Sequence, residues 1–226
     1  MFSGRILYIL LLFLCVSCGI KNKFSEVTEG EINYKLEYIG NEKNNPIISI
    51  MPSTMTIKFN KHHTVQTVEG WLGLFSLTGI SDFDNGKNYA ILKVLEKKYL
   101  YEKKSNDSSF GYREFPDMKI QYSDETKMIA GFKCKKALVI IPDSNLDSIN
   151  VFYTNKIKIK NPNVSNPFKK IDGVLLEFQM DMFDIRTKIT ASSIVSAKIP
   201  DNEFQIPGDC KKVTKDEIEK VIKDLM

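Results

Sequence analysis

Few side chains in this 226-residue sequence have the types and spacing that catalysis requires. The nearest carboxylate pairs are Asp82 with Asp84 and Asp181 with Asp184. Glycoside hydrolysis needs two carboxyl groups about 5–10 Å apart across a cleft, and sequence spacing alone does not supply that arrangement. The first pair lies in an Asp-Asn-Gly run, which is typical of a turn. We therefore interpret Asp82 and Asp84 as turn residues.

The histidines and the short motifs also argue against an enzyme. His62 and His63 are adjacent, and no nearby cysteine or HExxH-like spacing accompanies them. The sequence contains no GxSxG, P-loop or GxGxxG motif. We predict a protein without enzymatic activity, metal site or cofactor. The net charge of +4 is too small to indicate a nucleic-acid partner.

The N-terminal segment predicts export and membrane attachment. Arg5 supplies one positive charge, and the eleven apolar residues 6–16 are fewer than the ~20 that a spanning helix needs. The following Ser17-Cys18-Gly19 resembles the lipoprotein signal, in which the cysteine is lipidated and the chain is cut before it. The resemblance implies a signal peptide over 1–17, a lipidated Cys18 and a tether over 18–30. An uncleaved anchor and a plain secretory cut are the alternatives.

Lipoprotein sorting gives an expectation for location. Gly19 follows the cysteine where an aspartate would signal inner-membrane retention, so the resemblance favours the outer membrane. Lys21 and Lys23 precede Glu26, whereas surface display in some phyla uses an early acidic cluster. We therefore expect a lipid-anchored protein of the cell envelope that faces the periplasm.

Two cysteines remain after the signal is assigned. Cys134 and Cys210 form an even pair in an oxidising compartment, which favours a disulfide. The alternative is a pair of buried free thiols, because sequence does not establish that their Cα atoms come within reach of each other.

Alternation of apolar and polar residues dominates the rest of the chain and predicts β-strands. Strands are predicted in this way over 31–38, 149–159, 173–180 and 185–199. A hairpin is predicted from the two strands over 54–59 and 63–68. A strand is predicted over 119–122, a turn over 124–126 and a longer strand, broken at Gly131, over 128–141. Residues 89–101 form either two short strands or a helix. Thr214 and Glu217 make a capping box that begins an amphipathic C-terminal helix.

About nine or ten strands without alternating helices predict one antiparallel sheet, either closed as a barrel or curved. Hydrophobic residues are 42% and charged residues 27%, which is a globular composition. No linker or internal repeat divides the chain. We therefore predict a single, mainly β domain over 31–226, with a short C-terminal amphipathic helix.

Four segments resemble motifs of a group of Bacteroidetes lipoproteins. The most specific is Lys119–Ala137, which resembles that group's DETK-x-IAGYKCKKA pattern. Met51–Thr56, Asp172–Glu177 and Phe204–Pro207 resemble three further motifs of that group, and Cys210 departs from it. The group resembles the LolA/LolB-like lipoprotein-carrier superfamily. That resemblance implies a curved antiparallel sheet, an unclosed barrel, whose concave apolar face is covered by helices and holds acyl chains.

Two functions follow from this resemblance. The first is binding of a lipid, a lipidated protein or another hydrophobic ligand in the concave sheet. Residues 71–80 then cover the ligand or face the membrane, and the candidate contacts are Trp71, Leu72, Leu74, Phe75, Leu77, Met180 and Met182. The alternative for all of them is an ordinary core position. The second function is a structural or interaction lipoprotein that binds another envelope protein by strand addition, with Lys97, Lys98, Lys103 and Lys104 facing an acidic partner.

Overall fold

Strands account for most of the described chain. The computed structural model describes residues 26–39, 48, 51–70, 73, 75–104, 111, 117–142, 148–182 and 185–224. The strands are β1 (Gly30–Tyr38), β2 (Thr54–Phe59), β3 (His63–Gly70), β4 (Phe75–Asp82), β5 (Lys87–Val94), β6 (Lys97–Lys103), β7 (Lys119–Ile129), β8 (Phe132–Ile140), β9 (Ser148–Thr154), β10 (Val174–Met182), β11 (Ile185–Ser196) and β12 (Lys211–Lys212). A 3₁₀ helix (Asp201–Phe204) precedes β12, and helix α1 (Lys215–Lys223) follows it.

All twelve strands belong to one sheet, in the order β12-β6-β5-β4-β3-β2-β1-β11-β10-β9-β8-β7. Two meanders, β1 to β6 and β7 to β11, are joined where β1 pairs antiparallel with β11. Among the strands that the structure describes, the two-residue β12 pairs in parallel, with β6, and the others pair antiparallel. Because β12 and β7 are the two edges, the sheet is not closed into a barrel. This confirms the predicted mainly β, unclosed antiparallel architecture.

The sheet curves around one apolar face, which we call the inner face. The largest fully buried side chains there include Tyr34, Phe59 and Leu176, and Phe168 from the loop after β9 packs among them. Residues of β1 to β6 and of β10 line a common cavity on this face, so the two meanders face each other across it. The inner face therefore contains both the core and the candidate site.

The C-terminal segment covers both faces of the sheet near β6. Ile199 and Phe204 pack on the outer face against buried residues of β3 to β6. After β12, α1 places Ile218 and Ile222 on the inner face, against a cluster that includes Ala90, Leu92 and Tyr101. The predicted capping box is present, since Glu217 N donates to Thr214 Oγ1 and Thr214 N donates to Glu217 Oε2.

The predicted turn over 124–126 is wrong. β7 continues to Ile129, with a register shift between Ser123 and Thr126. The chain reverses instead at Ala130 and Gly131, which have φ values of 46° and 84°, as a tight hairpin turn requires. The polar run misled the prediction because β7 is an edge strand that is exposed over most of its length.

Two other local expectations are settled by strand pairing. Residues 89–101 are the strands β5 and β6 rather than a helix, and they reverse at Leu95, whose φ is 54°. The strand expected over 149–159 ends at Thr154. Beyond it, Ile157 forms an isolated parallel bridge with Val27.

The predicted disulfide between Cys134 and Cys210 is wrong, and both thiols are free. Cys134 is buried in β8 within the main core. Cys210 packs against the outer-face cluster beside β12, near the other edge of the sheet. The two thiols thus lie in different hydrophobic clusters, and the alternative of free thiols holds. Cys18 lies outside the described residues.

We predict that the two thiols differ in reactivity. Burial raises the pKa of Cys134 to about 12 and also raises the pKa of the half-buried Cys210, and the thiolate is the form that reacts. In a chain that begins at residue 19, iodoacetamide should modify Cys210 slowly in the native state and Cys134 only after unfolding. Peptide mass spectrometry measures both. A need for reductant before either thiol reacts in denaturant would contradict the assignment.

Candidate functional site

A cavity of about 110 Å³ lies on the inner face above β3 to β6. Strand register places Gln66, Gly79, Ala90 and Tyr101 side by side across these four strands. The two central residues of this row carry no side chain or only a methyl group, so the row leaves a hollow between Gln66 and Tyr101. A Cβ atom built at Gly79 would meet no atom within 4 Å. The small row therefore creates the cavity, and we call it the floor.

The row toward one end of these strands is polar. Thr64, Ser81, Asn88 and Lys103 are paired in register, and all four line the cavity. Ser81 Oγ donates to Asn88 Oδ1 at 2.7 Å. We call this row the polar rim, because it gives one end of the cavity hydroxyl, amide and ammonium groups.

The row on the other side of the floor is apolar. Met55, Val68 and Leu77 are paired across β2, β3 and β4, and Met180 and Met182 of β10 line the same end. Thioether side chains are flexible and polarizable, so they adapt to ligands of different shape. This end suits an aliphatic group.

Tyr34 places one polar group within the apolar end. Its hydroxyl donates to the main-chain carbonyl of Leu175 at 2.9 Å, and the bond is buried. Burial raises the pKa of Tyr34 well above its ordinary value. The phenol therefore stays neutral and joins β1 to β10 by a hydrogen bond.

Residues 155–173, which connect β9 to β10, cross the mouth of the cavity, and we call them the strap. Residues 159 and 161–166 line the cavity from this side. The C-terminal half is anchored in the core by Ile171 and by Phe168, which packs edge-on against Phe178 with ring centroids 6.0 Å apart. The N-terminal half reaches the β4–β5 turn, where Lys160 Nζ donates to the carbonyl of Phe83 at 3.3 Å.

Asn163 holds the strap in its conformation. Its buried amide donates to the carbonyls of Ile171 at 2.7 Å and Gly173 at 3.0 Å. Its oxygen accepts from Asn166 Nδ2 at 3.1 Å. These bonds are internal to the strap and its junction with β10, so Asn163 stabilises the shape of the strap from within.

The structure brings three of the predicted ligand contacts, Leu77, Met180 and Met182, to this cavity. Phe75 lies on the same face, half-buried against the cluster that includes α1. Residues 75–80 belong to β4, between β3 and β5, so they do not form the predicted cover. Trp71, Leu72 and Leu74 lie outside the described residues.

Sequence reasoning missed the strap and the floor. Gly79 within an apolar strand is the signal that could have indicated the hollow, because glycine inside a strand marks a bulge or a close approach. Its pairing with Ala90 could not be read without the register. The asparagines and prolines of 161–167 are typical of a loop, but they do not indicate where that loop lies.

The catalytic candidates have structural roles. Asp82 Oδ1 accepts from the main-chain N–H groups of Asp84 and Asn85, each at 3.0 Å, and these bonds with the Asn85 amide lower the pKa of Asp82. Asp84 accepts from His62 at 2.7 Å, and His63 stacks on a phenylalanine. The second pair is divided: Asp181 pairs with Arg186, while Asp184 lies outside the described residues. Among the residues described, no acidic, histidine or cysteine cluster could hold a metal ion.

Comparison with known proteins gives one family and several structures. The family described as "N-glycanase peptide, N-terminal domain" matches residues 106–168, less than half of the chain. The structure of PNGF-II in space group C2 matches with a TM-score of 0.52 and 16% identity, over 87% of this chain and 32% of that one. This chain thus spans about a third of PNGF-II, and the likeness concerns the fold alone.

Two other structures match more weakly. The Pseudomonas aeruginosa MucA/MucB complex gives a TM-score of 0.36 and 11% identity, over 82% of this chain and 58% of that one. The crystal structure of LprF from Mycobacterium bovis gives a TM-score of 0.27 and 12% identity, over 81% of this chain and 90% of that one. A comparison with curated proteins gives no significant match. The resemblance of Lys119–Ala137 to Bacteroidetes lipoproteins is not confirmed. In the described part of the chain, no helix is long and apolar enough to cross a membrane.

We predict that Asn163→Ala destabilises the protein by about 1–3 kcal/mol, because two buried carbonyl groups lose their side-chain donor. The matched control is Asn155→Ala in the same strap. The Asn155 amide donates to the Asp172 carbonyl at an exposed position, where water can replace it, so its loss should cost less than about 1 kcal/mol. Urea unfolding measures both variants, and equal losses would contradict the anchoring role of Asn163.

Proposed function

We propose that this protein is a non-enzymatic lipoprotein, anchored in the outer membrane and facing the periplasm, that binds a lipid, a lipidated protein or another hydrophobic ligand on its inner face. The observation that carries the proposal is the cavity between the floor and the strap. Two methionines and a leucine line one end of it, and a loop rather than a strand covers it. Such a cover can be displaced without breaking the sheet.

The size of the cavity indicates how a ligand enters. Small-molecule sites typically measure about 300–1,000 Å³, so a cavity of about 110 Å³ is too small for a ligand of that size. Binding requires the strap to move outward. An entering chain gains about 0.8 kcal/mol per buried CH₂, and the strap gives up few apolar contacts over the cavity, because most of its lining residues there are polar.

The comparisons with known proteins do not assign an enzymatic activity to this chain. The matching family is named as the N-terminal domain of an N-glycanase peptide, and this chain spans 32% of PNGF-II at 16% identity. Asp82 and Asp84, the carboxylate pair described in full, bond within a turn and to His62. These roles support binding rather than hydrolysis.

The chain path supports the anchored arrangement. Val27 exchanges main-chain hydrogen bonds with Lys156 and Lys158, the first part of the strap. Glu26 lies eight positions after Cys18, and a chain of that length spans at most about 29 Å at full extension. A lipid on Cys18 would therefore hold the strap close to the membrane surface, which is the source of hydrophobic ligands.

A second candidate is an interaction lipoprotein that binds another envelope protein. The observation that favours it is β7, an edge strand of eleven residues. Tyr122 and Met128 on this strand are 58% and 61% exposed, respectively. An exposed edge is the surface on which strand addition occurs.

We predict that Gly79→Leu abolishes ligand retention, because the new side chain fills the hollow while the backbone stays in an allowed strand conformation. The chain from residue 19, exported behind a cleavable secretory signal, is purified from the periplasm. Native mass spectrometry with lipid extraction measures its occupancy. The matched control is Gly208→Leu, where a Cβ also meets no atom within 4 Å, at an exposed position outside the cavity.

The comparison of the two leucine variants separates the candidate functions. Ligand on the parent and on Gly208→Leu, but not on Gly79→Leu, supports binding in the cavity. Equal occupancy of all three contradicts it, as does a parent without ligand in the presence of added lipid. In the latter case, the partner search moves to β7.

We predict that Cys18→Ser moves the protein from the membrane to the soluble periplasmic fraction and abolishes incorporation of radiolabelled palmitate. The thiol is the atom that would carry the lipid, and a hydroxyl does not replace it. Cys15→Ser serves as the control and should leave labelling unchanged. Palmitate incorporation into Cys18→Ser would show that another residue carries the anchor.

A further inference from the structure

We infer that the outer surface of the strap docks on a membrane surface that contains anionic lipids. The inference rests on the proposed function, because the lipid on Cys18 is what would bring the strap to a membrane. The partner is defined by its chemistry, which is a layer of phosphate-bearing head groups with a net negative charge.

The net charge of the chain is concentrated in the strap. Residues 155–173 contain five lysines and one aspartate, which is a net charge of +4. The whole chain also has a net charge of +4, so the rest of it has equal numbers of basic and acidic residues. The strap lysines are Lys156, Lys158, Lys160, Lys169 and Lys170. A basic segment in a chain that is otherwise neutral indicates a partner with negative charge.

The strap lysines point away from the cavity. All five are exposed, whereas Ile157 between them is buried and Ile159 lines the cavity. In the second half of the strap, Phe168 and Ile171 are buried in the core. The strap therefore has an apolar inner side and a basic outer side. A partner can contact the basic side without entering the cavity.

The carboxylates beside the strap bind other groups or form exposed pairs. Glu26 pairs with Lys158 at 3.0 Å, and both side chains are exposed, so water and salt weaken this pair. Lys160 contacts the turn that holds Asp82 and Asp84, which accept from main-chain N–H groups and from His62. Docking depends on the summed charge of the surface and not on any one ammonium group.

The basic surface continues onto β8, where Lys133 and Lys135 are exposed. The carbonyl of Lys133 accepts from the hydroxyl of Thr154, the last residue before the strap, at 3.4 Å. Lys135 is paired in register with Tyr153. These two lysines therefore lie beside the start of the strap and extend its positive charge.

Exposed apolar groups lie among these lysines and favour a membrane over an acidic protein. Tyr122 packs edge-on against Tyr153 with ring centroids 6.1 Å apart, and its hydroxyl donates to the carbonyl of Lys170 at 3.4 Å. Met128 is paired in register with Lys133. Both Tyr122 and Met128 are largely exposed. Lysines interleaved with amphipathic and apolar side chains are typical of surfaces that lie on a bilayer.

The path of the N-terminal residues brings this surface to the anchor. Val27 exchanges main-chain hydrogen bonds with Lys156 and Lys158, so the chain from Cys18 enters the fold along the strap. Anchoring raises the local concentration of head groups, and weak contacts with individual lysines then suffice. Because the strap also covers the cavity, docking places the membrane against the segment that must move when a ligand enters.

Vesicle co-sedimentation tests the inference on the chain from residue 19, which contains every described residue. The vesicles are phosphatidylcholine alone and phosphatidylcholine with about 30% phosphatidylglycerol, an anionic lipid. The parent should bind the anionic vesicles and not the neutral ones, and binding should weaken as salt is added. The double variant Lys156→Gln, Lys170→Gln should bind the anionic vesicles about 30-fold more weakly, because two attractions to the charged surface are lost.

The matched control is the double variant Lys97→Gln, Lys119→Gln, which removes the same charge from exposed positions. These lysines begin β6 and β7, at the end of the sheet away from the strap, so this variant should bind like the parent. Equal weakening of the two double variants would disprove a specific surface on the strap. Parent binding to poly-L-glutamate but to neither type of vesicle would overturn the membrane in favour of an acidic protein.

Native mass spectrometry of the same proteins keeps this inference apart from the proposed function. Neither Lys156 nor Lys170 lines the cavity, so their double variant should retain ligand like the parent. A parent that retains ligand but does not bind anionic vesicles disproves the docking surface alone. A parent that binds anionic vesicles but takes up no ligand supports the docking surface and disproves ligand binding in the cavity.

Discussion

The pairing of β1 with β11 is the constraint on which the rest of the structure depends. It joins two meanders that would otherwise be separate sheets, through residues about 160 positions apart in sequence. The strands approach so closely at Gly30 that a Cβ atom there would lie 2.1 Å from the carbonyl oxygen of Val195. Because the cavity takes residues from both meanders, it forms only after this long-range pairing. Contacts of such separation are costly in loop entropy and slow to form.

The inner face combines a packed part and an underfilled part, and the difference lies in what covers each. Around Phe168 and Leu176, aromatic and aliphatic side chains are fully buried against one another. Above Gly79 and Ala90, the cover is the polar stretch of the strap, held in shape by Asn163. A Cβ atom at position 79 would meet no atom within 4 Å, so the backbone there does not require a glycine. The absence of a side chain there is consistent with a site kept open for a ligand.

The sequence indicated the strands whose two faces differ in polarity, since the alternation in β1 and in the β2–β3 hairpin has a local physical cause. It also indicated α1, because the capping box is encoded within four residues. It did not indicate the floor or the strap position, and it did not decide between a disulfide and free thiols at Cys134 and Cys210. Those features depend on register and on which segments face each other across the sheet. The polar run in β7 was mistaken for a turn because exposure at a sheet edge and exposure at a turn select the same residue types.

The position of the N-terminal residues connects the anchor to the cavity. Val27 pairs with the strap at Lys156 and Lys158, and Lys158 forms an ion pair with Glu26 at 3.0 Å. In the proposed anchored state, the chain from the lipid reaches the fold at the segment that covers the cavity. A protein held in this way cannot carry a ligand between membranes, because several acyl chains keep it in one bilayer. In this proposed state, the geometry would suit receiving or sensing a hydrophobic ligand from that membrane, with the strap as the part that must move.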